Sequence, residues 1–192
     1  MRDALKLAAH GVATIVVTPS LVSFAIKAPL IGRDRALQGS TQALSLVPGL
    51  LGQYLRRAFL ARALTHCARS AVVEFGVVFS DARARLDEHA YVGPHCSLGY
   101  VHLEADALLG PRVVIPSGAH THGTADVDAV IRDQPTAKSC VRIGRGAWIG
   151  SGAIVMADVG ENTVVGAGSV VVSPIHSNAV AVGAPARVVR SR

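Results

Sequence analysis

Apolar residues recur along the last third of the chain at a fixed step. Ile143, Ile149 and Val155 fall six residues apart, Val159, Val165 and Val171 resume the step, and Gly144, Gly150, Gly160 and Gly166 follow four of these six aliphatics. A sixfold beat held over this length fits neither a helix nor an alternating strand, but it fits a solenoid of short parallel strands joined by turns. Each strand then sends one aliphatic side chain inward, and the small residue after it lets the backbone turn a corner. The beat also runs earlier, through Leu86, Val92 and Leu98 and then, after a five-residue step, Leu103, Leu109 and Ile115. The solenoid is therefore predicted from Val72 to the C-terminal residue. The step from Val155 to Val159 through Met156, Ala157 and Asp158 is two residues short of a hexad, which predicts a tighter corner there.

Between Ile115 and Ile143 the beat fails. This interval is not a multiple of six and is rich in Asp, Pro and small polar residues, so it reads as a loop over about residues 117–139 extruded from the solenoid. Long loops inside compact repeats tend to be functional or disordered.

Ahead of the solenoid the pattern changes character. Leu7 to Ile26 is an apolar run flanked by Arg2 and Lys6 on one side and by Lys27, Arg33 and Arg35 on the other. It approaches the roughly twenty apolar residues that a transmembrane helix needs, although His10, Pro19 and several hydroxyl residues interrupt it. No small-x-small site marks it as a signal peptide. We read it as an anchor embedded in or lying on a membrane; the soluble alternative is a helix packed on a partner subunit. After a break at Val47-Pro48-Gly49, Leu51, Leu55, Phe59 and Leu64 alternate with Arg56, Arg57 and Arg62 as in a basic amphipathic helix that can lie on an anionic surface. Residues 1–71 are thus expected to be a helical membrane-associating segment that the repeat does not need in order to fold, and residues 72–192 the all-β solenoid.

Composition agrees with such a core. Half of the residues are hydrophobic while aromatics are 4%, so Val, Leu, Ile and Ala must fill the interior. The net charge of +6 comes almost wholly from Arg, since Lys occurs only at positions 6, 27 and 138. Arg favours bidentate contacts with anions, and without a basic run interleaved with aromatics the charge points to phosphate-bearing small molecules or an anionic membrane rather than to nucleic acid. Cys67, Cys96 and Cys140 are odd in number and far apart, which indicates free thiols in a reducing compartment, the cytoplasm by default.

The loop opens with Ser117-Gly118-Ala119-His120-Thr121-His122-Gly123. Histidine has an unperturbed pKa of roughly 6.5, suited to taking a proton from an attacking hydroxyl at neutral pH. In an H-x-H pair on an extended segment both rings share one side, and Asp126 or Asp128 is a candidate to orient a ring nitrogen.

The segment P-S-G-A-H-T-H-G, the later V-R-I-G-R-G-A-W-I-G-S-G-A-I-V, then V-V-G-A-G-S-V-V and the closing A-V-G-A-P-A-R-V-V-R together resemble the hexapeptide-repeat acyltransferases. They are most similar to the branch of galactoside, maltose and nodulation-factor O-acetyltransferases and of capsule or exopolysaccharide acetyltransferases. The resemblance covers Val72 to the end of the chain; the leader S-L-V-P-G-L-L-G-Q-Y-L-R-R-A-F is similar to that of the polysaccharide-associated members. It implies a left-handed parallel β-helix assembled as a homotrimer, with sites between neighbouring subunits. A loop His would act as general base on an acceptor hydroxyl, the acceptor being a sugar or polysaccharide precursor, which attacks the thioester of acetyl-CoA bound along the helix edge. Carried onto this sequence, His122 is the first choice for the base and His120 the second. Trp148 and Ser151 match the segment near the catalytic cleft, and Ala167 and Gly168 match the backbone beside the pantetheine arm. Arg187 and Arg190 match the basic residues that meet cofactor phosphates, while backbone amides would serve the oxyanion. Where relatives often carry T-K-D, this chain has Val172-Ser173-Pro174, so one polar cofactor contact is not expected.

Two other readings compete. A γ-carbonic-anhydrase-like metal site would draw on His89, His95, His102, His120 and His122, whereas the acyltransferase reading needs no metal. A catalytically inert β-helix used for assembly is the third. The localisation expected from the whole pattern is the cytoplasm, peripheral to or anchored at the inner face of the membrane.

Overall fold

A computed structural model describes the backbone of residues 2–192 and the side chains of residues 9–192. Helices α1 (Arg2–Ile31), α2 (Arg33–Ser45) and α3 (Gly49–Ala63) precede the solenoid. Its first coil is β1 (His66–Cys67), β2 (Val72–Val73) and β3 (Val78–Phe79); its second is β4 (Arg85–Leu86), β5 (Tyr91–Val92) and β6 (Ser97–Leu98). The third coil is β7 (Val101–Leu103), β8 (Leu108–Leu109) and β9 (Val114–Ile115), and the fourth is β10 (Val141–Ile143), β11 (Trp148–Ile149) and β12 (Ile154–Val155). A single bridge at Val159, β13 (Val164–Val165) and β14 (Val170–Val171) make the fifth; a bridge at Ile175 and β15 (Ala179–Gly183) begin the sixth. Strand β16 (Ala186–Ser191) then folds back antiparallel on β15.

Equivalent strands of successive coils pair in parallel and build three faces, β1-β4-β7-β10, β2-β5-β8-β11-β13-β15 with β16 at its end, and β3-β6-β9-β12-β14. The aliphatics of the sixfold beat fill the interior, with Leu86, Val92, Leu98, Leu103, Leu109, Ile115, Ile143, Ile149 and Val155 all fully buried. The short step to Val159 is the tight corner expected, and there the first-face strand shrinks to a bridge. The solenoid begins at His66 rather than at Val72, because Cys67 occupies the first inward position where an aliphatic would otherwise announce the beat.

Outward residues differ by face. The first face presents His66, Arg85, His102 and Arg142 in register, whereas the second presents Val72, Tyr91, Leu108, Trp148, Val164 and Val180. The third presents Val78, Ser97, Val114, Ile154 and Val170. Two of the three faces are therefore largely apolar outside as well as inside.

The helices are more than an appendage. Leu37, Phe59 and Leu60 are buried in the same apolar cluster as Val73 and Phe79, so α2 and α3 cap the open end of the first coil. The sequence leads one to expect a repeat that needs nothing before Val72; α2 and α3 nevertheless share its core, whose end an uncapped solenoid would expose. Arg56, read from sequence as part of the basic amphipathic helix, is 2% exposed. It donates to the carbonyls of Val73 (2.9 Å), Leu44 (3.2 Å) and Val47 (2.7 Å), satisfying the unpaired end of α2 and tying it to the first coil.

Helix α1 buries Ala13, Val17 and Phe24 against α2 and α3, Phe24 meeting Phe59 edge to face at 5.8 Å. Its opposite side leaves Val12, Ile15, Val16, Val22, Ile26 and Leu30 exposed. Among the described residues Ala9–Ile31 is long and apolar enough to cross a membrane. The flanking side chains of Arg2 and Lys6, and those of Leu7 and Ala8, lie outside the described residues.

Candidate functional site

Corners of the prism are built by left-handed residues stacked in columns. Between the second and third faces the column is Gly76 (φ 77), His95 (φ 60), Arg112 (φ 59), Gly152 (φ 70) and Gly168 (φ 66). The last four rest on the coil below through backbone bonds: His95 donates to Phe75, Arg112 to Pro94, Gly152 to Pro111 and Gly168 to Ser151, all at 2.8–2.9 Å. In the second and third coils this edge carries the side chains of His95 and Arg112, but from the fourth coil upward it is bare. A Cβ at Gly152 or Gly168 would meet nothing within 4 Å, so a groove-free ledge of backbone runs past Ser151 and Ala167.

Trp148 stands beside that ledge on the second face, 53% exposed, in register with Leu108 below and Val164 above. The column Trp148, Val164, Val180, Arg190 continues upward in register. Three strand spacings separate its ends, about 14 Å. Arg187 pairs opposite Val182 on the same hairpin, and among the described residues the guanidinium groups of Arg187 and Arg190 bond only adjacent backbone carbonyls, leaving most of their donors open. Trp148, Ser151, Ala167, Gly168, Arg187 and Arg190 therefore occupy one continuous strip.

His120 and His122 do not lie on it. Their loop leaves the third edge, between the third and first faces, after β9 and before β10. It is a hydrogen-bonded hairpin rather than an open coil: Ser139 donates to Ser117 (2.9 Å), Ala137 to His120 (3.2 Å) and Gly123 to Pro135 (3.0 Å). At its tip the buried Gln134 side chain accepts from the Asp126 amide (3.2 Å) and donates to the carbonyls of Asp126 (2.7 Å) and Ala129 (3.0 Å). Both histidines are exposed. Asp126 caps Asp128 instead of a ring, its Oδ1 accepting the Asp128 amide at 3.0 Å, and among the described residues neither carboxylate bonds His120 or His122.

The base of the hairpin is held by charges that the sequence did not single out. Asp81, fully buried at the third edge, accepts from Arg83 Nε (2.9 Å) and Nη2 (2.8 Å) and from Lys138 Nζ (3.1 Å). Lys138 also donates to Asp34 Oδ2 (2.8 Å), whose Oδ1 accepts the Ala82 amide (3.0 Å). Arg83 lies over the Tyr100 ring at 4.1 Å, and the Tyr100 amide donates to Ser117 Oγ at 2.9 Å. Both legs of the hairpin are thereby fixed. Burial pushes the Asp81 carboxyl up, but the bonds from Arg83 and Lys138 outweigh it and hold the group below the usual carboxylate range. Lys138 would be lowered by burial, and its bonds to Asp34 and Asp81 hold it above its ordinary value instead.

The remaining histidines are dispersed. His89 and His95 sit at two different edges, and His102 on the first face is bonded to Asp87 at 2.8 Å. Among the described residues no group of three His, Cys, Asp or Glu side chains is close enough to share a metal ion. Cys67 and Cys96 are buried free thiols, pushed up by desolvation to about 12 and about 11.

No family model and no curated protein matches the chain by sequence. Solved structures do match it. A maltose O-acetyltransferase from Clostridium difficile 630 is 24% identical with a TM-score of 0.70, over 82% of this chain and 87% of that one. A galactoside acetyltransferase in complex with coenzyme A is 20% identical (TM-score 0.66, 84% of each chain). A hexapeptide-repeat acetyltransferase from Vibrio cholerae is 20% identical (TM-score 0.67, 82% of this chain and 92% of that one). These spans exceed the solenoid, so they take in part of the helical cap. With its three parallel faces and extruded loop, the chain has the left-handed parallel β-helix fold of the galactoside and maltose O-acetyltransferases.

Proposed function

We propose that this protein is an acyl-CoA-dependent O-acyltransferase that moves an acetyl group from acetyl-CoA to a hydroxyl of a sugar or surface-polysaccharide precursor. One observation carries the reading. The hairpin bearing His120 and His122 leaves the solenoid between the third and fourth coils, and the bare ledge beginning at Ser151 and Gly152 starts in that same fourth coil. The two features share a level along the axis but sit on different edges of the prism. A closed ring of three copies related head to tail brings the hairpin of one against the ledge of the next. The largely apolar second and third faces give such a ring something to bury.

The ledge fits the thioester cofactor. A narrow pantetheine arm needs backbone approach without side chains, which Gly152 and Gly168 supply, Ala167 and Ser151 flank it, Trp148 offers an apolar wall, and Arg187 and Arg190 offer charge-assisted donors to phosphate. His122, with His120 as the second choice, accepts the proton of the acceptor hydroxyl as its oxygen attacks the thioester carbonyl carbon. The oxyanion faces backbone N–H groups. Collapse forms the ester, breaks the C–S bond and returns the proton from the imidazolium to the departing sulfur. Helix α1 forms the membrane-associating segment of this reading, its exposed face turned to the cytoplasmic side of the bilayer.

Release of free thiol from acetyl-CoA, measured against a panel of pyranoside acceptors, tests the reaction. Wild type should turn over with at least one acceptor and His122→Ala should not; equal rates for both remove His122 from the mechanism, and no turnover with any acceptor counts against the reaction.

A further inference from the structure

A second basic region lies at the other end of the molecule from Arg187 and Arg190. Between α1, α3 and the corner joining β1 to β2 is a cleft of about 680 Å³ whose polar lining is His10, Thr14, Arg57, Arg62 and Arg69. Among the described residues no acidic side chain lines it, and none of the three guanidinium groups is paired with a carboxylate. Arg57 donates from Nη1 to the Ala71 carbonyl (3.2 Å) and lies over Tyr54 at 4.8 Å, yet its Nε is buried with no hydrogen-bond partner among the described residues. Among the described residues Arg62 bonds only the Ala58 carbonyl of its own helix (2.9 Å). A buried unpaired donor among uncompensated cations is costly unless something supplies acceptors.

We propose that this cleft binds a phosphate-bearing anion, held by Arg57, Arg62 and Arg69. Guanidinium groups match phosphate geometry through two-pronged contacts, and the Thr14 hydroxyl and the His10 ring supply further polar contacts. His10 is lowered by burial first and then by the positive charges of Arg57 and Arg69, so the cleft is positive inside as well as at its rim. Its position adds a second property. Around α1, His10 and Thr14 lie between the face packed on α3 and the exposed stripe of Ile15, Val22 and Ile26, with Gly11 where the two meet. An anion in the cleft can therefore carry an apolar tail along α1, as a lipid phosphate would, while a free phosphate would use the arginines alone.

This inference goes beyond the acyl-transfer reading and does not depend on it, because its readout is binding. Full-length protein is tested with two probes, vesicles of phosphatidylcholine with or without phosphatidic acid, and inorganic phosphate by titration calorimetry. Arg62→Gln with Arg69→Gln leaves the Arg57 bond to Ala71 in place and removes two charge-assisted contacts, which should weaken binding about tenfold or more. Arg85→Gln with Arg145→Gln removes the same charge from elsewhere on the solenoid and should leave binding unchanged. Loss confined to the phosphatidic acid vesicles assigns the cleft to a lipid headgroup; loss confined to inorganic phosphate assigns it to a free phosphate. Equal behaviour of the two double variants, or binding of neither probe by wild type, overturns the proposal.

Discussion

Lys138→Met isolates the device that fixes the histidine hairpin. The substitution keeps the length of the side chain but removes its bonds to Asp81 and Asp34. A hydrogen bond between charged groups is worth roughly 1.5–3 kcal/mol where water is excluded. Asp81 is fully buried, but it retains two bonds from Arg83, and Lys138 is itself 36% exposed, so solvent screening trims the loss. The net cost should be about 1–1.5 kcal/mol, which in a chain of this size lowers Tm by roughly 2–6 °C. The greater effect should be on catalysis. With its return leg untied, the hairpin no longer holds His120 and His122 at a fixed distance from the ledge, and misplacement of about 1 Å can cost up to a hundredfold in rate. We expect kcat for acetyl transfer to fall ten- to a hundredfold while the affinity for coenzyme A, measured by calorimetry, stays unchanged, because the proposed cofactor contacts come from the strip and not from the hairpin. Arg132→Ala at the exposed tip should do neither. A Lys138→Met protein with wild-type kcat and a Tm within about 1 °C of wild type would refute the reasoning.

Other consequences are as concrete. His122→Ala should lower kcat/KM by about 100- to 10,000-fold, the range of a general base, with the thermal transition unmoved because the side chain is exposed; steady-state kinetics and calorimetry check both halves. Asp81 and Glu104 both titrate below their ordinary values, Glu104 chiefly through its bond from Arg142, so their contribution to stability is complete above the unfolded pKa values and declines as pH falls through the lowered folded ones. Denaturant titrations should therefore show a flat plateau above about pH 5 and a progressive loss below about pH 4, with Asp81→Asn shrinking the loss. Removing residues 1–32 should leave the β-helix folded and release it from membranes, whereas removing residues 1–64 should lower its stability severely by stripping Leu37, Phe59 and Leu60 from the end of the core; circular dichroism and vesicle flotation separate the two outcomes.

Much of this architecture is legible in the sequence because the solenoid is quasi-one-dimensional. Each inward position is chosen by its own coil, so Ile143, Ile149 and Val155 announce themselves without long-range information. The hairpin is legible for the same reason, as the interval in which the beat stops. Local pattern cannot show partners brought together by the winding: Lys138 lies 104 residues from Asp34 and 57 from Asp81. Its only signal is that it is the one lysine of the solenoid in an Arg-rich chain. Arg56 misleads for a related reason. Its place in the amphipathic pattern is that of a solvated residue, yet the carbonyls at the end of α2 need a donor, and only the tertiary structure reveals it. The edge from which the hairpin leaves could have been counted from the beat, since Ile115 ends a third-face strand and Ser151 follows a second-face one. That count separates the histidines from the ledge within one chain.

The most direct test of the shared site is a crystal structure with coenzyme A. The pantetheine arm should run along Ser151, Gly152, Ala167 and Gly168, with the phosphates at Arg187 and Arg190 and the sulfur facing His122 or His120 of a neighbouring copy. Coenzyme A bound away from that ledge, or a sulfur facing neither histidine, would contradict this arrangement.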